Sequence, residues 1–205
     1  MKNSTEIYGM FPNPVASINE RSPTKKELSF VENLNLRRNQ GNSISQERNV
    51  LEHSEMKDLK RDIQANLDEF FHFTMQANLN CGLRITQSWC NYNNNGDFHH
   101  KHSHPNSAIS GVYYMQAEHP DDRIMFHSPL EAYAQMQYQV NDNNIYNSKS
   151  WWLPAQTGTL FLFPSYLVHS VPAIDNRLTT RISLSFNTFY TGKLGDEIQA
   201  TALNL

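Results

Sequence analysis

After Asn80 the chain passes through six short segments, LRITQSWCNY, SAISGVYYM, RIMFH, SWWLP, GTLFLFPS and TTRISLSFNTFY, each rich in β-branched and aromatic residues. Turn formers such as NNNG, HPDD and DNR separate most of them, and no helical pattern intervenes. Parallel strands need crossover connections, usually helical. Successive strands without them favour an antiparallel sandwich or barrel over a parallel α/β sheet.

Helices are expected only ahead of this region. Thr24 stands three residues before Glu27, the spacing of a capping box, and a short helix over roughly 25–34 should follow. From Ser54 to about Met75 the apolar positions Met56, Leu59, Ile63, Leu67, Phe70 and Phe71 recur at three and four residues, the stripe of one helical face. At 205 residues one domain with one core is expected. It divides into an N-terminal helical segment (1–80), a β core (81–190) and a C-terminal tail (191–205).

Composition removes several classes of function. A net charge of −3 with 18% charged residues offers no field to gather phosphate backbones, so no nucleic-acid partner is expected. No apolar stretch follows Lys2 as in a signal peptide, and the longest apolar run, around TLFLFPSYLV, is broken by Pro164, so no membrane partner is expected. Cys81 and Cys90 are too few for a disulfide scaffold, which points to a reducing, cytoplasmic setting.

The segment GDFHHKHSHP carries His99, His100, His102 and His104 just before an apolar run. His102 and His104 are two residues apart at the lead-in to an expected strand, which puts both rings on one face. A third imidazole must come from elsewhere, and His169 in LFPSYLVHSVP lies in a β pattern beside a turn. Imidazole suits iron, zinc, copper and nickel, and spacing alone does not choose among them.

Taken together, GDFHHKHSHPNSAISGVYY, GTLFLFPSYLVHSVP and RISLSFN resemble the oxygenases dependent on iron(II) and 2-oxoglutarate, most closely a small family found in bacteria and their viruses. The likeness spans roughly residues 83–190, and the early MFPNPV is similar to that family's opening. It implies a mainly β fold whose core is a double-stranded β-helix, a jelly roll of cupin-like form, behind N-terminal helices. It also implies iron(II), 2-oxoglutarate as co-substrate and molecular oxygen, acting together to hydroxylate a small-molecule or peptidyl substrate that the sequence does not identify. In that superfamily the distal histidine corresponds to His169, and the arginine about a dozen residues beyond it, which holds the far carboxylate of 2-oxoglutarate, corresponds to Arg181. Ser183 follows on the same face of the strand. Arginine suits this role because its planar fork matches a carboxylate bidentately. The PAIDNR turn would fold the strands of His169 and Arg181 into a hairpin.

One position departs from the pattern. The superfamily has an acid two residues after the proximal histidine, whereas here His104 follows His102 and Asn106 follows His104. Three arrangements compete: a site of His102, His104 and His169; His104 and His169 with Asn106 near the vacancy; or a carboxylate from elsewhere, Asp97 being nearest. The first is favoured, because an amide oxygen is the poorer ligand for such a metal. Cupins also resemble this sequence, through Gly96, His102 and His104 and through Gly158, Pro164 and His169, but that reading leaves Arg181 and Ser183 without a task. A non-catalytic jelly-roll binding module is the third reading. Tyr113, Tyr114, Gln87 and Trp89 are read as core residues that could line a pocket; Trp151 and Trp152 are read first as packing under the preceding loop, with a substrate platform or the contact of a homodimer as the alternative for an exposed ring.

Overall fold

The computed structural model describes residues 6–78, 80–130 and 139–205. Its first helix, α1 (Lys25–Glu32), opens as the sequence predicts: the Thr24 hydroxyl accepts from the Glu27 N–H while the Glu27 carboxylate accepts from the Thr24 N–H. Arg21 grips the same carboxylate with both terminal nitrogens and reaches Asp62 with Nε. That contact ties α1 to α2 (Lys57–Met75), which follows two short 3-10 turns and ends at Gln76 in the left-handed region.

The α2 stripe Leu59, Ile63, Leu67, Phe70 and Phe71 is buried, as the spacing requires. Each such side chain contributes about 1.5–3 kcal/mol on leaving water.

Among the described residues twelve strands form two sheets. The larger has the order β1 (Ala16–Asn19), β9 (Thr159–Pro164), β6 (Ile109–Gln116), β11 (Arg181–Leu194), β4 (Cys81–Asn93), β3 (Ser43–Ser45) and β2 (Leu36–Arg38), with β12 (Leu203–Asn204) paired to β11. The smaller has the order β5 (His99–His102), β10 (His169–Val171), β7 (Arg123–His127) and β8 (Ser150–Pro154). All pairings between these named strands are antiparallel. The two layers make the expected jelly roll, with the helices on the outer face of the larger sheet.

Two cores follow from strand alternation. On β9, Leu160 and Leu162 face the helices with Leu67, Tyr113 and Leu184, while Phe161 and Phe163 face the smaller sheet with Tyr114, Ile124 and Phe126. A strand covered on both faces reads as an unbroken apolar run, as TLFLFP does. On β6, Gly111 lies under the Phe186 ring: an added Cβ would stand 2.1 Å from Phe186 Cζ.

Three features differ from the sequence expectation. The segment before Asn80 supplies three strands to the larger sheet besides its helices, because strands this short are made by ladder hydrogen bonds rather than by propensity. In the stretch read as a tail, β11 runs on to Leu194 and pairs with β12. The strands of His169 and Arg181 do not form a hairpin: β10 belongs to the smaller sheet and β11 to the middle of the larger, so the PAIDNR connection crosses between layers.

Candidate active site

His102 closes β5 and His169 opens β10, and the two residues are directly paired across the ladder. His104 lies beyond the end of β5, where its N–H donates to the Ser165 carbonyl at 2.9 Å. Strand period alone therefore does not bring His102 and His104 together; the Ser165 contact fixes the turn that does. One ligand atom from each of His102, His104 and His169 lies within 4.8 Å of the others, the group of metal-binding side chains of this kind found among the described residues.

The rings are held for ligation. His102 Nδ1 donates to the His100 carbonyl at 2.8 Å and His169 Nδ1 to the Leu167 carbonyl at 3.0 Å, which leaves Nε2 of each as a lone pair. The Asn187 amide hydrogen-bonds the His104 ring. Burial, reinforced by the neighbouring histidines, lowers His104 to about 4 and holds His169 well below the ordinary histidine range; burial also lowers His102. Neutral rings are what a metal needs.

Nε2 of His104 and Nε2 of His169 face each other at 3.3 Å. Two imidazole nitrogens bound at ~2.1 Å on adjacent corners of an octahedron would stand ~3.0 Å apart. The pair thus fits one cation between them.

Asp97 and Asn106 are placed otherwise. The Asp97 carboxylate accepts from Arg38 at 3.3 Å and from the Asn94 N–H at 2.9 Å, within its own turn. Asn106, at φ 58°, lines a separate hollow.

Arg181 is 2% exposed and shares a cavity of about 30 Å³ with the three histidines, Ser183, Tyr114, Trp89 and His99. Its Nη2 donates to the Tyr114 hydroxyl at 3.1 Å, and its guanidinium lies 4.9 Å from that ring's centre. Nε and Nη1 are buried without a hydrogen-bond partner among the described residues. Buried donors left unpaired cost stability unless a ligand takes them up. Ser183 is buried and paired with Asn91 in the β11–β4 register.

Behind Arg181 sits an acid that sequence reasoning missed. Asp122 accepts from both Nη1 and Nη2 of Arg177, and its Oδ1 is 3.8 Å from Arg181 Nε. Two guanidiniums and one carboxylate leave one positive charge in excess, directed at a space that suits a carboxylate. Asp122 and Arg177 stand in HPDD and in the turn after PAID, which carry turn signals and nothing more.

Among the expected lining residues, Tyr114 and Trp89 border the cavity, whereas the Tyr113 hydroxyl points away to the Arg21 carbonyl and Gln87 borders the separate hollow. His99, unassigned from sequence, stacks on His102 with ring centres 4.3 Å apart. The half-buried Trp89 and His99 form part of the cavity's wall.

Comparison with known proteins bears on the family and the fold. Residues 87–187 match the family described as "Putative 2OG-Fe(II) oxygenase". Among solved structures the chain is similar to a 2OG-Fe(II) oxygenase family oxidoreductase from Burkholderia pseudomallei (13% identity, TM-score 0.54, covering 78% of this chain and 74% of that one). It is also similar to a Pseudomonas putida prolyl-4-hydroxylase (15%, 0.53, 85% and 92%). A third is HygX from Streptomyces hygroscopicus, solved with nickel, 2-oxoglutarate and hygromycin B (11%, 0.55, 86% and 82%). No curated protein matches. The structures share the fold, and the family match over residues 87–187 supports a 2-oxoglutarate- and iron(II)-dependent oxygenase.

Proposed function

We propose that this oxygenase holds one iron(II) on His102, His104 and His169 and anchors the far carboxylate of 2-oxoglutarate on Arg181 and Ser183. The observation that carries the reading is the meeting, in one cavity, of three converging neutral imidazoles and a buried guanidinium with two unpartnered donors. Iron so held, with oxygen, would supply chemistry that couples decarboxylation of 2-oxoglutarate to hydroxylation of a substrate.

The residues do the rest. Arg181 offers Nη1 to a carboxylate, Asp122 beside Nε and Tyr114 at Nη2 fix the plane of its guanidinium, and the Ser183 hydroxyl can donate alongside. The His100 and Leu167 carbonyls and the Asn187 amide hold the imidazoles in their ligating tautomers. Phe163 and Phe126, packed near His169, exclude water from the inner end. A plain cupin would leave Arg181 Nη1 idle.

Among the described residues no helix is long and apolar enough to cross a membrane. Cys81 and Cys90 are free thiols, which supports a cytoplasmic setting. The net charge of −3 speaks against a nucleic-acid substrate. The exposed Trp151 and Trp152 on β8 support a homodimer contact.

The test is anaerobic titration of the iron(II)-loaded protein with 2-oxoglutarate, following the metal-to-ligand charge-transfer band. The band should form in wild type, require excess 2-oxoglutarate in Arg181→Ala and vanish in His169→Ala. Stoichiometric metal with no band in wild type would refute the reading.

A further inference from the structure

A second hollow, of about 440 Å³, adjoins the histidine site and is unused by it. It continues the inner face of β4 and β11: Ser183 pairs with Asn91, Ser185 with Trp89 and Asn187 with Gln87, so the row that begins in the Arg181 cavity runs on into the hollow. There a β-bulge intervenes, since Asn187 opposes Gln87 but Thr188 opposes Ile85, leaving Thr86 as the extra residue. The Thr86 hydroxyl donates to the Asn187 carbonyl at 3.2 Å and pins the bulge.

The bulge shifts the alternation by one. Leu83 and Ile85 pack toward the helices, and Arg84 is thereby turned onto the same side as Gln87. His104 forms the partition between the two spaces, because Asn187 bonds its ring and Asn106, two residues on, lines the hollow.

The lining has a definite chemistry. Among the described residues Arg84 is the cation on it, no acid lies on it, and the Arg84 side chain has no ion pair or hydrogen bond. Gln87 and Asn106 offer amides, and Phe189, 37% exposed, offers an apolar ring.

We propose that this hollow receives the substrate and that the substrate carries a carboxylate, paired with Arg84 and with its carbon skeleton against Phe189. This rests on the iron site proposed above, since it requires a metal on the far side of His104. The exposed position of Arg84 limits its effect to about a fivefold preference for an anion over its neutral counterpart.

The test uses full-length protein loaded with manganese(II) and saturated with 2-oxoglutarate, both bindings measured by calorimetry, and benzoate and benzamide as probes. Proton line broadening by the bound manganese reports a probe held near the metal. Benzoate should bind about fivefold more tightly than benzamide, and the preference should disappear in Arg84→Gln. Equal broadening by the two probes, broadening of neither, or a benzoate preference unchanged in Arg84→Gln would overturn the proposal. Failure of manganese or 2-oxoglutarate to bind at all would show up in the calorimetry, and would overturn the oxygenase reading and this proposal with it.

Discussion

Replacing Asp122 by asparagine removes the acid between two buried guanidiniums while keeping its shape. The side chains of Asp122, Arg177 and Arg181 are 0%, 3% and 2% exposed, so water cannot take over the lost charge. The new amide offers one oxygen where the carboxylate gave Arg177 two, and its NH2 group meets a donor. Breaking a buried pair in this way costs about 3–5 kcal/mol. For a chain of this size that is a fall in Tm of about 6–20 °C. Urea and thermal unfolding would measure it on metal-free protein. The decisive control is Asp122→Asn combined with Arg177→Met, which restores the original excess of one positive charge and should recover most of the loss. A single variant within about 1 kcal/mol of wild type, or a double variant no better than the single, would refute the charge argument.

Two further outcomes follow from the packing and the titration. Gly111→Ala places a methyl group against the fully buried Phe186 ring and should cost about 1–3 kcal/mol, read by urea unfolding; an unchanged midpoint would show that the ring moves freely. Burial, with the neighbouring histidines, lowers His99 to about 3 and His104 to about 4, so between pH 6.5 and about 4 the unfolded chain takes up protons that the folded one refuses. The metal-free protein should keep its stability above pH 6.5 and lose it as pH falls through this window. A flat urea midpoint from pH 7 to pH 5 would contradict it.

The parts of the structure legible in the sequence are those where one side chain pattern decides the outcome. The α2 stripe, the capping box of α1 and the apolar run of β9 each satisfy their own periodicity, and the structure follows them. His102, His104 and His169 stand out in the sequence as imidazoles in or beside β patterns, and Arg181 only through the resemblance to the 2-oxoglutarate oxygenases. Their assembly was not legible there. The strand His99–His102 has little intrinsic β character and exists because β10 pairs with it. Asp122 and Arg177 sit in turns far apart in sequence and meet only because the connection after β10 crosses between the sheets. The bulge at Thr86 leaves no mark in the sequence, because it depends on the register against β11.

The proposed site gives the metal three imidazoles and no carboxylate from a protein side chain. X-ray absorption fine structure at the iron edge of the anaerobic iron(II)–2-oxoglutarate complex counts imidazole rings directly, in wild type and in His102→Ala. Scattering from His102, His104 and His169 in wild type, with one ring fewer in His102→Ala, is the predicted result. Two rings in wild type, unchanged in His102→Ala, would contradict it.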